Sequence, residues 1–308
     1  MRNPSPNGRR WFGCLTLILA ALFVWGCRPR DAAPPPTSGP SQEFGTASSL
    51  RPPPGPGRFE TEWDRSNFDH GLWDRALQAH VDDRGRVAYE AMKRNAAFEQ
   101  YLFRLSRTDA DGLATDAERL AFWINAYNAL TIQGVLDTLP DSPESWPDYR
   151  ISEVRIGDRT LWKGVRFRVG GGEFTLDEIE HEILRKRDGL RDPRIHVALV
   201  CAARGCPPLW NRAFTAAAID QQLTAAMRRF VADRNQMAVD VSDRVIRISR
   251  IFDWYGADFT NPAFMPHAES IPHFLANYCE EAAIAESLRK GDWRLEFNEY
   301  DWRLNIQG

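Results

Sequence analysis

The stretch that decides how this chain folds is residues 192–209, which read DPRIHVALVCAARGCPPL. Its apolar run predicts a short buried strand that carries His196, followed by a small loop bounded by Cys201 and Cys206. Folds place functional groups on loops at the ends of strands, because a rigid sheet positions them. In a regular strand His196 and Cys201 point to opposite faces, so we expect no contact between these two side chains.

A long apolar helix is predicted upstream of this stretch. Thr115 and Glu118 form a capping box, in which each side chain bonds the backbone of the other residue, and the apolar pattern continues to Val135. Asn125 and Asn128 lie three positions apart on one face of this helix. Buried carboxamides need hydrogen-bonding partners, so we expect each to hold a loop backbone, the other carboxamide or a ligand.

The rest of the domain combines helical patterns with a few short strands. A second capping box, Thr175 with Glu178, begins another helix after the predicted strand 166–169. Few strands among many helices predict an α+β fold, a mostly helical single domain at residues 59–308 around a small, partly buried β-sheet. The other predicted elements are helices at 73–81, 91–105, 216–233 and 268–288 and a hairpin that joins 237–241 to 245–249.

The N-terminus resembles a lipoprotein-type signal peptide, predicted at residues 1–27. A basic start precedes an apolar run, residues 11–25, that is too short to span a bilayer comfortably. The segment ends in VWGC, which resembles a lipobox, so we expect export and lipidation of Cys27; an uncleaved anchor helix is the alternative. Arg28 follows instead of aspartate, which favours the outer membrane, with the domain facing the periplasm or the exterior.

Between this anchor and the domain, residues 28–58 are rich in Pro, Gly and Ser and are predicted to be a disordered tether. The membrane is therefore one expected partner, and a small molecule, peptide or envelope component is the other. The formal net charge of −3, with both signs mixed, gives no reason to expect nucleic acid. The sequence shows no phosphate-binding or dinucleotide-binding motif, so we expect no cofactor. His181, His196, Cys201 and Cys206 could together bind zinc, but their spacings match no familiar zinc pattern, so we expect no metal.

Three cysteines remain in the exported protein if Cys14 leaves with the signal peptide and Cys27 is acylated. Cys279 has the setting of a buried, inert thiol on a helix. Cys201 and Cys206 are close enough in the chain to form a disulfide across a compact turn. The alternative is that one of these two is a free nucleophile, which a disulfide would exclude.

If the thiols are free, the predicted elements can assemble a catalytic site. Cys201 is the candidate nucleophile and His181 its candidate base, because His196 lies on the opposite face of the predicted strand. Asn125 or Asn128 would orient the base or donate to an oxyanion. The remaining catalytic candidates are Cys206, His196 and, as an orienting group, Glu180.

The tryptophans of the domain invite a sugar-binding hypothesis. Trp123, Trp162, Trp254 and Trp302 lie among apolar neighbours in the sequence. We therefore expect these side chains to fill the core.

Several short motifs occur together in the domain. They are FWINAYNA at 122–129, IEH at 179–181, RIH at 194–196, Cys201, CP at 206–207, IFDWY at 251–255 and YDWRLN at 300–305. This combination resembles the family known as domain of unknown function 547, and the resemblance covers about residues 64–305. It implies that bacterial members are often exported, and it implies no established activity.

These observations leave three hypotheses for the function. The first is a membrane-anchored, cysteine-dependent hydrolase or acyl transferase that acts on an amide or a thioester. The second is a non-catalytic binding or scaffold lipoprotein of the envelope, whose structural Cys201–Cys206 disulfide shapes a binding loop. The third is a thiol–disulfide redox protein, although the spacing is not the Cys-x-x-Cys of the common oxidoreductases.

The predicted lipid anchor can be tested by fractionation. We expect Cys27→Ala to move the protein from the membrane fraction to the soluble fraction, because the acyl chains provide the membrane affinity. Cys14→Ala, the matched control inside the signal peptide, should leave the protein in the membrane fraction. A Cys27→Ala protein that stays in the membrane fraction would support the uncleaved anchor helix instead.

Overall fold

The computed structural model of the chain describes residues 68–308. The predicted signal peptide, the lipidation site Cys27 and the tether lie outside these residues. The helices are α1 (Gly71–His80), α2 (Tyr89–Lys93), α3 (Ala96–Arg107), α4 (Asp116–Thr138), α5 (Leu161–Gly164), α6 (Leu176–Glu178), α7 (Ile219–Ala232), α8 (Ile251–Trp254), α9 (Gly256–Thr260), α10 (Ile271–Ala276) and α11 (Ala282–Arg289). The strands are β1 (Arg155–Ile156), β2 (Arg159–Thr160), β3 (Phe167–Val169), β4 (Gly172–Phe174), β5 (Met237–Asp240), β6 (Val245–Ile248) and β7 (Arg294–Phe297). A π-helix (Ile179–Leu184) continues α6, and 3₁₀ helices occupy Ala110–Gly112, Pro143–Asp148, Ile151–Glu153, Pro193–Val197 and Ala216–Ala218.

Helix α4 runs through the first of two hydrophobic clusters. The predicted capping box is present: the Thr115 hydroxyl accepts from the Glu118 N–H at 3.2 Å, and the Glu118 carboxylate accepts from the Thr115 N–H at 2.9 Å. Nearly every side chain from Leu120 to Leu136 is buried, as expected for a helix enclosed on all sides. Within residues 68–308, no helix is both long enough and apolar enough to cross a bilayer.

The strands of the described residues form small separate sheets. β1–β2 and β3–β4 are antiparallel hairpins, and the third sheet has the order β5-β6-β7. The predicted hairpin at 237–249 is confirmed, with Met237 opposite Ile248 in antiparallel register, and β7 joins it in parallel. Residues of this sheet pack with α7 and α10 in the second hydrophobic cluster, around Phe230 and Phe274. The predicted mostly helical α+β fold is therefore confirmed.

The strand predicted to carry His196 is a 3₁₀ helix, Pro193–Val197. Asp192 begins this helix by accepting a hydrogen bond from the Arg194 N–H at 2.9 Å, and Pro193 occupies the first turn, where its missing N–H is not needed. The prediction was wrong because a short, fully buried apolar run has the same appearance in a strand and in a buried helical turn. The argument from alternating strand faces therefore does not apply to His196 and Cys201.

Two predicted helices are each divided in the structure. The helix predicted at 91–105 is α2 and α3, because Asn95 leaves the helical conformation and its side chain accepts from the Phe98 N–H at 2.8 Å. The helix predicted at 268–288 is α10 and α11. Ser270 begins α10 through a hydrogen bond from the His273 N–H, and the chain is extended again at Glu281 before α11.

The two asparagines of α4 hold loop backbone, which is one of the predicted outcomes. Asn125 donates to the Phe214 carbonyl at 2.7 Å and accepts from the Phe214 N–H at 3.0 Å. Asn128 donates to the Ala198 carbonyl at 2.9 Å and accepts from the Val200 N–H at 2.9 Å. Asn128 thereby fixes the backbone between His196 and Cys201 to the central helix.

The C-terminal segment closes over the other side of the cysteine loop. The N–H groups of Arg204 and Gly205 donate to the carbonyls of Arg303 and Asp301, both at 2.8 Å. The Asn305 N–H donates to the Ala202 carbonyl at 2.9 Å. The loop from 201 to 206 is therefore held between helix α4 and the last residues of the chain.

Removing the carboxamide that holds this loop should destabilise the fold. Asn128→Ala leaves the Ala198 carbonyl and the Val200 N–H buried without a partner, so we expect the free energy of unfolding to fall by about 3 kcal/mol. Gln133→Ala on the same helix is the control, since its side chain bonds only the exposed Asp137, and should change stability by less than about 0.5 kcal/mol. Equal effects in urea denaturation would contradict the role of Asn128.

Candidate active site

A pocket of about 350 Å³ opens beside the cysteine loop. Its polar floor is formed by Tyr127, Glu180, His181, His196 and Tyr255. Aromatic side chains and the two cysteines form its walls, and charged side chains of the β1–β2 hairpin and α5 stand at its rim. A concave, largely apolar cavity with a few convergent polar groups is the usual form of a small-molecule site.

Four of the six predicted catalytic residues line this pocket, namely His181, His196, Cys201 and Cys206. Asn125 and Asn128 are not among the lining residues, and both carboxamides are committed to the backbone of the segments that they hold. Their predicted roles as orienter or oxyanion donor stay predictions, while the structure shows them positioning loops.

Cys201 and Cys206 form a disulfide, with their Cα atoms 6.3 Å apart. Cys201 is partly exposed, whereas Cys206 is only 5% exposed. Cys279 is a free thiol with intermediate burial, and it is not among the residues that line the pocket. Of the alternatives open from the sequence, the disulfide is the one that the structure contains.

Hydrogen-bond donors converge on the sulfur of Cys206. The Cys201 N–H donates to Cys206 Sγ at 3.0 Å, and the Tyr300 hydroxyl lies 3.1 Å from the same sulfur and 3.3 Å from Cys201 Sγ. Burial, with a further contribution from the Glu180 charge, raises the pKa of Tyr300 well above its usual value. The hydroxyl of Tyr300 therefore keeps its proton and remains a donor.

His196 is fixed by a carboxylate on the far side of the pocket floor. Its Nε2 lies 2.8 Å from Asp258 Oδ2, and Arg185 donates to both oxygens of Asp258, at 2.6 and 2.9 Å. Burial by itself would raise the pKa of Asp258, but the hydrogen bonds and charges of His196 and Arg185 outweigh it and lower the pKa to about 2. Asp258 is therefore ionised and accepts the Nε2–H of His196, which leaves Nδ1 on the pocket side.

Glu180 lies opposite that free nitrogen. Its Oε1 is 3.9 Å from His196 Nδ1, and the Tyr127 hydroxyl donates to its Oε2 at 3.3 Å. Tyr255 stacks on the His196 ring, with the ring centroids 4.0 Å apart. Burial and the adjacent Glu180 carboxylate raise the pKa of both Tyr127 and Tyr255 well above the usual value. Glu180 and His196 are thus a buried carboxyl–imidazole pair beneath the cavity.

His181 follows Glu180 on the π-helix, an element that is often found at functional sites. The Arg185 Nη1 lies 2.7 Å from His181 Nδ1, and because a guanidinium can only donate, Nδ1 must accept. The remaining nitrogen, Nε2, is 3.7 Å from Asp177 Oδ1. The accepting nitrogen of His181 is therefore occupied by Arg185.

The aromatic wall consists of Trp162, Trp254, Tyr300 and Trp302. Trp254 and Trp302 stack with centroids 5.9 Å apart, and Tyr300 packs against both. All four side chains are partly exposed, so the expectation that Trp162, Trp254 and Trp302 fill the core was wrong. It was right for Trp123, which is 1% exposed. The apolar residues that neighbour Trp162, Trp254 and Trp302 in the sequence lie beneath the pocket wall, whereas these three tryptophans form part of the wall itself.

Sequence reasoning missed five residues of the site. They are Tyr127, Arg185, Tyr255, Asp258 and Tyr300. The aromatic ones lie in motifs that were noticed, but nothing in the chain indicates that segments so distant meet at one pocket. The sequence contains one signal for Asp258. It stands directly before Phe259, and a carboxylate that is buried beside apolar residues needs a partner.

The fold and the site define a mostly helical α+β domain with a disulfide-walled pocket above a buried acid–base cluster. The family described as "Protein of unknown function, DUF547" matches residues 111–231. This range contains His181, His196 and both cysteines of the disulfide, and it ends before Tyr255 and Asp258. The match supports the resemblance to domain of unknown function 547. No curated protein and no solved structure gives a significant match to the chain.

The ion pair between Asp258 and Arg185 should make the stability of the protein depend on pH in the acid range. The pKa of Asp258 is lowered from 3.8 to about 2 in the folded state, so its stabilisation is fully present above pH 3.8 and is lost as the pH falls toward 2. Over this range the free energy of unfolding of the wild type should fall by about 2 kcal/mol more than that of Asp258→Asn. At neutral pH the variant should be less stable by about 3 kcal/mol, because the guanidinium of Arg185, only 25% exposed, loses the carboxylate with which it pairs.

Asp253→Asn is the matched control, since Asp253 pairs with Arg250 at the surface and its loss should cost less than about 1 kcal/mol. The measurement is chemical denaturation of the three proteins at several pH values. Parallel pH profiles for wild type and Asp258→Asn would contradict the assignment of this acid-labile stability to Asp258.

Proposed function

We propose that the pocket is the active site of an envelope hydrolase or acyl transferase, in which Glu180 and His196 carry the acid–base chemistry. The observation that carries this proposal is the buried carboxyl–imidazole pair, with Glu180 Oε1 3.9 Å from His196 Nδ1 at the floor of the cavity. Burying a carboxylate and an imidazole together is costly, and such groups in a cleft are typical of catalytic sites.

The reaction class follows from which atoms are free to exchange protons. Asp258 occupies His196 Nε2, so proton transfer with a ligand must use Nδ1 or the Glu180 carboxylate. In hydrolysis of an amide or thioester, Glu180 takes a proton from water while the water oxygen bonds to the carbonyl carbon. The proton then passes from Glu180 to the free Nδ1 of His196. As the bond to nitrogen or sulfur breaks, the leaving group takes this proton from Nδ1, which restores the carboxylate and the neutral imidazole.

The predicted cysteine route remains a proposal for the same pocket. With Cys201 as nucleophile and His181 as base, it requires that the disulfide first be reduced and that His181 Nδ1 leave Arg185. Its support is that all four predicted thiol and imidazole groups line one cavity. The two routes differ in their dependence on a reductant, which makes them separable by experiment.

A binding function is the second candidate, and the aromatic wall is the observation that favours it. Trp162, Trp254 and Trp302 present partly exposed ring faces to a cavity large enough for a small molecule. Aromatic walls of this kind hold flat or apolar groups of a ligand by stacking. Under this candidate the protein is a lipoprotein that captures a ligand without changing it.

The cellular setting is part of the same proposal. The sequence features support an exported protein that is lipid-anchored at Cys27 in the outer membrane, with the domain on a tether in the periplasm or at the exterior. A tether of this length lets the pocket sample ligands near the membrane surface. The membrane, through the anchor, is then the first partner, and the small molecule or peptide in the pocket is the second.

The test compares two glutamates of one helix. Glu180→Gln should lower kcat/KM by at least about 100-fold on the amides or thioesters that the wild type hydrolyses, because it removes the proton acceptor. Glu182→Gln is the control: Glu182 lies on the same π-helix, is exposed, pairs with Lys186 just after that helix, and should retain activity within about twofold. Both variants are compared with the wild type by hydrolysis of a panel of chromogenic amides and thioesters.

The other outcomes assign the pocket differently. Activity that needs a reductant and disappears in Cys201→Ser would replace the acid–base proposal with the cysteine route. A ligand that binds, quenches the fluorescence of the wall tryptophans and is recovered unchanged would support the binding function. Full activity of Glu180→Gln in the oxidised protein would overturn the proposal for Glu180.

A further inference from the structure

We propose that the Cys201–Cys206 disulfide is itself a reactive centre, which exchanges with a small-molecule thiol bound in the pocket and is attacked at Cys201. This activity goes beyond acid–base chemistry at the pocket floor and does not depend on it. It rests on where the disulfide lies, on which sulfur is accessible, and on the donors that surround the other sulfur.

The disulfide forms part of the wall of the pocket. A bond that served only as a cross-link would be equally effective if it were enclosed in the core. Here the Cys201 side is partly exposed, while Cys206 is 5% exposed and lies within the first hydrophobic cluster. Both cysteines line the cavity, and Cys201 is the more exposed of the two, so a thiolate in the cavity meets the sulfur of Cys201 first.

Cys206 is the sulfur that would leave as a thiolate, and hydrogen-bond donors already surround it. Cys206 Sγ accepts from the Cys201 N–H at 3.0 Å, and the Tyr300 hydroxyl is 3.1 Å away. Both groups can donate to the negative charge that develops on Cys206 when the bond breaks. A better-stabilised leaving thiolate departs faster, so this arrangement favours exchange in one direction around the bond.

The loop between the cysteines stays anchored when the bond opens. Asn128 fixes the backbone before it, and the C-terminal segment fixes Ala202 and Arg204 through backbone hydrogen bonds. Ala202 has a φ of 63°, a conformation that costs a residue with a Cβ some free energy and that recurs at functional sites. The two sulfurs are therefore held in place by the fold as well as by their covalent bond.

The groups that line the cavity determine which thiols can bind there. The cavity of about 350 Å³ has room for a small molecule, and the aromatic wall beside the disulfide packs apolar parts of it. Charged side chains of both signs stand at the rim: Arg159 is positive, Asp158 is negative, and Lys163 lies 3.6 Å from the Asp177 carboxylate. The ligand class is thus a small thiol that carries both an ammonium and a carboxylate group, for which glutathione is a suitable probe.

The exchange balances as a two-electron transfer. The ligand thiolate forms a bond to Cys201 Sγ, and the electron pair of the protein disulfide goes to Cys206, which becomes a thiolate. A second ligand thiolate then attacks the ligand sulfur of this mixed disulfide and releases Cys201 as a thiolate. Two ligand thiols are oxidised to one disulfide, the protein gains two electrons, and the two thiol protons go to the protein thiolates or the solvent.

Labelling of the wild-type protein can determine which of the two sulfurs is attacked. The oxidised, folded protein is treated with reduced glutathione, quenched with acid, and the remaining thiols are alkylated. Trypsin cleaves after Arg204, between the cysteines, so that Cys201 and Cys206 fall on separate peptides. We expect glutathione on the Cys201 peptide in at least tenfold excess over the Cys206 peptide. Equal labelling, or no mixed disulfide until the protein is unfolded by denaturant, would overturn the proposal and leave a purely structural cross-link.

The role of the Tyr300 hydroxyl in stabilising the leaving thiolate of Cys206 can be tested separately. Tyr300→Phe removes the hydroxyl beside Cys206 and should slow reduction by glutathione about tenfold. Tyr278→Phe removes a hydroxyl from the second hydrophobic cluster and is the matched control, with an unchanged rate. Circular dichroism establishes that both variants are folded. Equal rates for the two variants would contradict a role for Tyr300 in the exchange.

Discussion

The paired hydrogen bonds between Arg185 and Asp258 are the interaction on which the site depends. They join the π-helix that follows α6 to helix α9, two elements far apart in the chain. Because Arg185 keeps Asp258 ionised, the carboxylate holds His196 Nε2 and turns Nδ1 toward Glu180. Without this pair, His196 would lack the contact that fixes its ring, and Glu180 would lack a defined partner across the floor of the pocket.

The pocket places two kinds of chemistry side by side. Its floor can exchange protons through Glu180 and His196, and its wall contains a disulfide in which Cys201 is the more exposed cysteine. Tyr300 is the side chain that belongs to both, since its hydroxyl contacts the sulfurs and it experiences the charge of Glu180. A ligand in the cavity would therefore meet both centres, and the proposals for hydrolysis and for exchange concern different atoms of one site.

Much of the fold was predictable because it depends on local signals. The capping box at Thr115, the apolar helix α4 and the 237–249 hairpin are each specified by neighbours in sequence, and all are present. The stretch around His196 was predicted in the wrong conformation, because a short buried apolar run does not distinguish a strand from a helical turn. Four of the six candidate catalytic residues line one pocket, whereas the partners of Asp258 and the aromatic wall depend on long-range packing that no local pattern contains.

The most direct test of the account is the protonation of His196, observed by ¹⁵N nuclear magnetic resonance of its imidazole and assigned with His196→Gln. The account predicts that Nε2 remains protonated and hydrogen-bonded on both sides of neutral pH, because ionised Asp258 holds its proton. It also predicts that Asp258→Asn changes the Nε2 resonance more than Asp253→Asn does. Resonances of His196 that show an unprotonated Nε2, or that are the same in both variants, would contradict the arrangement from which the function of the pocket is inferred.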